Sequence, residues 1–160
     1  MKTNRILTTV ILATVLLTAC QKSSDSTPAP ALTKAQMLVG GQWKIKALTA
    51  SPAIKIGVLS VTDVLSLYPS CITDNFQTFS ADGVYVFDEG TTKCDSSDPQ
   101  RETGTWKLSA DETQVILNMP SNSHEVWELP MLTSTQATTR SQMVVYGTTY
   151  TITASLEKVN

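Results

Sequence analysis

Histidine is almost missing from this chain and cysteine is scarce: one histidine and three cysteines occur in 160 residues. That leaves too little material for a Cys/His metal centre or a Cys–His nucleophile pair. Charge is also thin, at 16 % of residues, with 12 basic groups against 14 acidic and no run of Lys or Arg. A basic grip on nucleic acid is therefore excluded. There is no Gly-rich phosphate loop, no His-Glu-x-x-His helix and no Gly-x-Ser-x-Gly elbow, so no enzyme class announces itself and no cofactor or metal is expected. No apolar run reaches the ~18–20 residues of a bilayer-spanning helix. What is present, 41 % hydrophobic residues in this length, suffices for one folded domain with attached ends.

The N-terminus carries an address. Lys2 and Arg5 precede an apolar stretch from Ile6 to Leu17, which as a helix would span about 18 Å against a hydrocarbon core of ~30 Å. A basic start, a short apolar segment and small residues behind it read as a secretory signal. Leu17-Thr18-Ala19-Cys20 resembles the bacterial lipobox, which implies cleavage before Cys20 and acyl chains on its sulfur and new amino group. Two or more chains give lasting attachment, where one is marginal. Gln21, in place of aspartate, resembles lipoproteins sorted onward to the outer membrane. Without residues 1–19 the chain keeps 10 basic and 14 acidic groups, a net charge of about −4, so the acyl chains and not a basic patch would hold the membrane. The organisation is thus a signal over residues 1–19, a lipidated Ser/Pro/Ala-rich tether over 20–31, and a domain over 32–160.

Export places the chain in an oxidising compartment, where paired cysteines persist. With Cys20 lipidated, Cys71 and Cys94 remain as an even pair. They flank a hairpin of two β-rich runs, Asn75–Phe79 and Val84–Phe87, joined by Ser80-Ala81-Asp82-Gly83. A three-residue loop would set Cys71 opposite Lys93. A two-residue loop would set it opposite Cys94. Either register allows a disulfide.

Elsewhere, Thr33 and Gln36 form a capping box for a short helix that Gly40 stops. Gln42–Thr49 alternates as a strand with Trp43, Ile45 and Ala47 on one face. Ser51–Pro69 is irregular, with a helical turn or two expected over Val61–Tyr68 behind Thr62. Further strands are read at Thr103–Leu108, Gln114–Asn118, Glu125–Leu129, Ala137–Val145 and Thr148–Glu157. In the last, Tyr150, Ile152, Ala154 and Leu156 share a face. About eight short strands without helical crossovers make an all-β antiparallel meander. Closing it as an eight-stranded up-and-down barrel hides both edges and the apolar face; a β-sandwich is the alternative.

Gly41-Gln42-Trp43 after a short helix resembles the Gly-x-Trp signature of lipocalins. With the lipobox and tether, Cys71-Ile72-Thr73-Asp74-Asn75, Phe79-Ser80-Ala81-Asp82-Gly83-Val84-Tyr85, Lys93-Cys94 and Gly104-Thr105-Trp106-Lys107-Leu108, the chain resembles the lipocalin-like domains of Bacteroidetes lipoproteins over about residues 35–158. It has neither a Thr-Asp-Tyr triplet nor an arginine of the last strand set to pack across Trp43, both features of lipocalins proper. The resemblance implies a barrel-shaped, non-catalytic binding module of the outer membrane. Its expected partners are the membrane, a small apolar or amphipathic ligand and, in the alternative, another envelope protein docking to a filled barrel.

The candidate pocket or core residues are Trp43, Phe79, Tyr85, Phe87, Trp106 and Trp127. His124 is read as a solvated strand-edge residue, and Asp88, Glu89, Asp95 and Asp98 as a solvated acidic loop.

Overall fold

Alternation of apolar and polar residues builds nine antiparallel strands, and eight of them close on themselves. The computed structural model describes residues 30–120 and 123–159; the signal, Cys20 and the tether through Ala29 lie outside these. From Ala31 onward the chain is one compact unit. Helix α1 (Lys34–Leu38) starts at the expected capping box, with Thr33 accepting from Gln36 N and Gln36 reaching back to Thr33 N. The strands are β1 (Gln42–Ile56), β2 (Leu59–Asp63), β3 (Phe76–Phe79), β4 (Val84–Asp88), β5 (Arg101–Leu108), β6 (Gln114–Asn118), β7 (His124–Leu132), β8 (Gln136–Val145) and β9 (Thr148–Val159). Consecutive strands pair from β3 to β9, β9 returns to β1, and β1 meets β3 through the pair Trp43↔Gln77. This is the eight-stranded lipocalin-like barrel, not a sandwich. β2 is an additional strand on the outer half of β1. Among the described residues, no helix is long and apolar enough to cross a membrane.

Two expectations need correction, both in the first third of the domain. β1 does not stop at Thr49: it runs through the cis Ser51–Pro52 bond to Ile56 and turns at Gly57 into β2. The Val61–Tyr68 segment is accordingly strand and then a single 3-10 turn, Leu65–Leu67, whose start is held by Asp63 and not Thr62. A register shift between Ile45 and Ala47 also changes which side chains face inward. Beyond it Ala50 is buried, packed with Val64 and Tyr150, and Leu48 joins that cluster.

The β3–β4 turn takes the three-residue form. Phe79 faces Tyr85, and Ser80 N donates to Val84 O at 2.9 Å; Gly83 at φ +83° supplies the left-handed residue this loop needs. The ladder ends at Phe76↔Asp88, so Cys71 does not meet Cys94 across paired strands. Cys71 sits instead in a single helical turn, α2 (Ser70–Thr73), and bonds Cys94 from there, Cα to Cα 5.3 Å. Next to it the Asp74 carboxylate gathers the loop: Oδ2 accepts from the backbone N–H and hydroxyl of both Thr91 and Thr92, at 2.6–2.9 Å. Gly90 passes so close that a Cβ there would lie 2.6 Å from Asp74 O.

These bonds, the Thr91 hydroxyl first, outweigh the opposing effect of burial and lower the Asp74 carboxyl to about 2 from an ordinary 3.8. A carboxyl depressed in the folded state stabilises above its unfolded pKa, and that contribution disappears as pH falls through the folded one. The melting temperature of the protein should therefore exceed that of Asp74→Asn above about pH 4, and the difference should shrink toward pH 2. A difference that stays constant across this range would count against the clamp.

Candidate functional site

One end of the barrel is sealed. Trp43 is 0 % exposed, its Nε1 donates to Leu38 O at 2.8 Å, and α1 lies over it. The residue of β9 that lies across Trp43 is Lys158: Nζ lies 4.9 Å from the Trp43 ring centroid and donates to Met37 O and Val39 O. Phe79 packs tilted on Tyr85 and edge-on to Trp106, each at 5.4 Å, and Trp106 Nε1 donates to Ser80 O. Alternation put these rings on inward faces. Three of the six candidate aromatics, Trp43, Phe79 and Trp106, are buried core, not lining.

The other three line space. Tyr85, Phe87 and Trp127 border a cavity of about 220 Å³ together with Leu117, Glu102 and Glu125. A second cavity of about 130 Å³ lies between Ile45, Leu48, Thr139, Ile152, Ala154 and Leu156. Gln77 and Trp127 belong to both walls, so the two are neighbouring halves of one interior. Each alone is below the ~300 Å³ of ordinary small-molecule pockets; only joined do they reach it.

Gln77 is the residue the sequence reading missed. It is 7 % exposed, and its Oε1 has no hydrogen-bond partner. A buried amide left unsatisfied costs on the order of 1–3 kcal/mol. This oxygen is an acceptor facing both cavities. Two carboxylates face the same space. Glu102 pairs in register with Phe87 and Glu125 with Leu117, and Glu125 accepts from Trp127 Nε1 at 2.9 Å. Burial raises the Tyr85 phenol well above its ordinary range, and the charges of Glu125 and Glu102 push it the same way.

One seam of the wall is only partly paired. β7 and β8 pair from Leu132↔Ala137 to Glu128↔Arg140 and no further. Beyond that point His124–Trp127 holds only to β6, and Ser141–Val145 only to β9. A polar cleft of about 770 Å³ covers this seam on the outside, bordered by His124, Glu128, Arg140 and Gln142 among others. Ser141 lines both the cleft and the smaller interior cavity. His124 is exposed, with Nδ1 2.8 Å from Asn118 Oδ1. The acidic loop is less uniform than expected. Asp88 is only 3 % exposed and is held by Arg101, Gln100 and Gly90 N, whereas Asp95 caps its own turn through Ser97. Burial alone would raise Asp88, but the Arg101 and Gln100 bonds more than offset it and lower its carboxyl. Among the described residues, no group of three His, Cys, Asp or Glu side chains is placed to hold a metal ion.

No family model matches this chain, and no curated protein matches it. Among solved structures it is similar to bovine odorant-binding protein. The protein from bovine nasal mucosa aligns at 13 % identity and TM-score 0.44, over 83 % of this chain and 78 % of that one. The bovine protein with its natural ligand aligns at 15 % and 0.43, and its complex with undecanal at 14 % and 0.43, over the same shares. At this distance no residue role carries over.

Proposed function

We propose that this chain is a membrane-anchored envelope lipoprotein whose barrel is a non-catalytic binding module for one small amphipathic molecule. The observation that carries the reading is the buried Gln77 Oε1, an acceptor without a donor at the junction of two interior cavities. A barrel whose purpose is only rigidity gains nothing from an orphaned polar group in its centre. The residues lining these cavities are aromatic and aliphatic with a few polar groups, the composition of ligand sites.

Binding is tested on the domain with N-phenyl-1-naphthylamine, a probe that is uncharged at neutral pH and brightens in apolar surroundings. Saturable brightening at about one probe per chain is expected, and Ala154→Leu, which fills the smaller cavity, should weaken it several-fold. A folded domain that leaves the probe dark would overturn the reading. Anchoring rests on Leu17-Thr18-Ala19-Cys20, and the mass of the N-terminal peptide from the membrane fraction tests it. Acylated Cys20 is expected; a free thiol there refutes the anchor.

A second reading, an adaptor that docks to a neighbouring envelope protein, is favoured by the two hairpin tips beyond the Ser51↔Thr151 pair. Val58 and Tyr146 are fully exposed there, with Ile56, Leu59 and Val144 beside them. Small exposed apolar groups are common, but two tips at one end form a patch of the kind that marks contact surfaces.

A further inference from the structure

We propose that the larger half of the interior takes the head of an organic cation, a primary amine on an apolar body, in preference to a carboxylate. This rests on the barrel interior being a ligand site, and it names the chemistry of the head group. The solvent-exposed Glu102 and Glu125 border this cavity, and among the described residues that border it none is Lys, Arg or His. The nearest basic side chain in sequence, Arg101, is committed to Asp88. An anionic head group would bring a third negative charge into a space with no counter-ion. A monovalent cation would offset one of the two and be attracted by both.

The hydrogen-bond inventory is a second observation that favours a cation. Gln77 Oε1 is an acceptor without a donor. A primary ammonium carries three donors and no acceptor, so it can serve Gln77 and a carboxylate together. The third is the aromatic wall. Tyr85 and Trp127 stand edge to face at 6.3 Å, and Phe87 completes the side next to Glu102. Ring faces attract an ammonium within about 6 Å of the centroid. Gly104 falls between Glu102 and Trp106 on the inward row of β5 and contributes no side chain; a Cβ there would lie 2.4 Å from Asn118 O. The apolar body then has the adjoining half, between Leu48, Ile152 and Ala154, to occupy.

The experiment compares octylamine, octanol and octanoate as displacers of bound N-phenyl-1-naphthylamine at pH 7 and low salt. The amine should displace at least about tenfold more effectively than octanoate, with octanol between them, and added salt should narrow the gap. Glu102→Gln and Glu125→Gln should each weaken the amine several-fold while leaving octanol within twofold. Gln77→Leu should cost the amine and octanol alike, since both lose their acceptor. Octanoate binding as well as octylamine, or the Glu→Gln variants weakening octanol as much as the amine, would overturn the cation assignment while leaving the ligand site standing. A probe that never binds overturns both. Circular dichroism of each variant separates lost binding from lost fold.

Discussion

Replacing Trp43 with alanine should remove about 3–5 kcal/mol of stability, the range for an aromatic deleted from a packed core, read as a lower denaturant midpoint at unchanged slope. The size follows from how many things this ring does. It is wholly buried, its Nε1 donates to Leu38 O, and its ring lies beside the Lys158 ammonium, which in turn donates to Met37 O and Val39 O at the end of α1. Trp43→Phe separates the roles: the ring volume largely remains, Leu38 O loses its donor, and the loss should be nearer 1–3 kcal/mol. Lys158→Arg should be tolerated, because a guanidinium can lie on the ring and still donate to carbonyls. Lys158→Met should not, because Met37 O and Val39 O would lose their donor. If Trp43→Ala cost less than about 1 kcal/mol, the sealed end would not be the anchor of the fold.

The second large effect is expected from the disulfide. Cys71 and Cys94 are separated by 23 residues in sequence, and a closed loop of that size restricts the unfolded chain by roughly 3 kcal/mol. Changing both cysteines to serine should lower stability by about that amount. The Asp74 clamp on Thr91 and Thr92 does not lessen the loss, because it acts in the folded state whereas the covalent loop acts mainly on the unfolded one. It does predict where the folded molecule stays intact. Hydrogen exchange in the serine variant should rise in α2 and the 89–100 loop and change little in β5–β9. Uniform loosening of the whole barrel would contradict this division.

Much of the architecture was legible because alternation is a strong signal where one face is buried. β6 has the boundaries read from Gln114–Asn118, and Tyr150 and Leu156 of β9 are buried as their spacing requires. The capping box at Thr33 and Gln36 and the left-handed Gly83 are local chemistry, readable without neighbours. The failures are equally physical. A bulge after Ile45 reverses parity, so a face extrapolated from Trp43 and Ile45 puts Ala47 on the wrong side. Val61, Val64, Leu65 and Leu67 fall at helical spacing, although the first belongs to a strand and the others to a turn. Pro52 looks like a strand's end but sits on the rim of the sheet, where a missing donor is tolerated.

The candidate site was half visible. Aromatics on inward faces were found, but which of them line space depends on how tightly distant strands pack. Glu102, Glu125 and Gln77 were passed over because polar residues on a strand read as outward by default. In this barrel the three border the interior cavity instead. Lys158 was overlooked for a related reason: the expected group was a guanidinium, and an ammonium on the same strand performs the task.

The unjoined stretch between β7 and β8 has a consequence for solubility. Beyond Glu128↔Arg140 each strand has a flank without a partner, and a bare flank is a template on which a strand of another molecule can zip. Along it Glu128, Arg140, Gln142 and His124 are interleaved with the exposed Val126, Met143 and Val144, so an incoming copy would have to bury charge and amide groups to reach the apolar ones. Those charged and amide groups thus guard the seam against fibre growth.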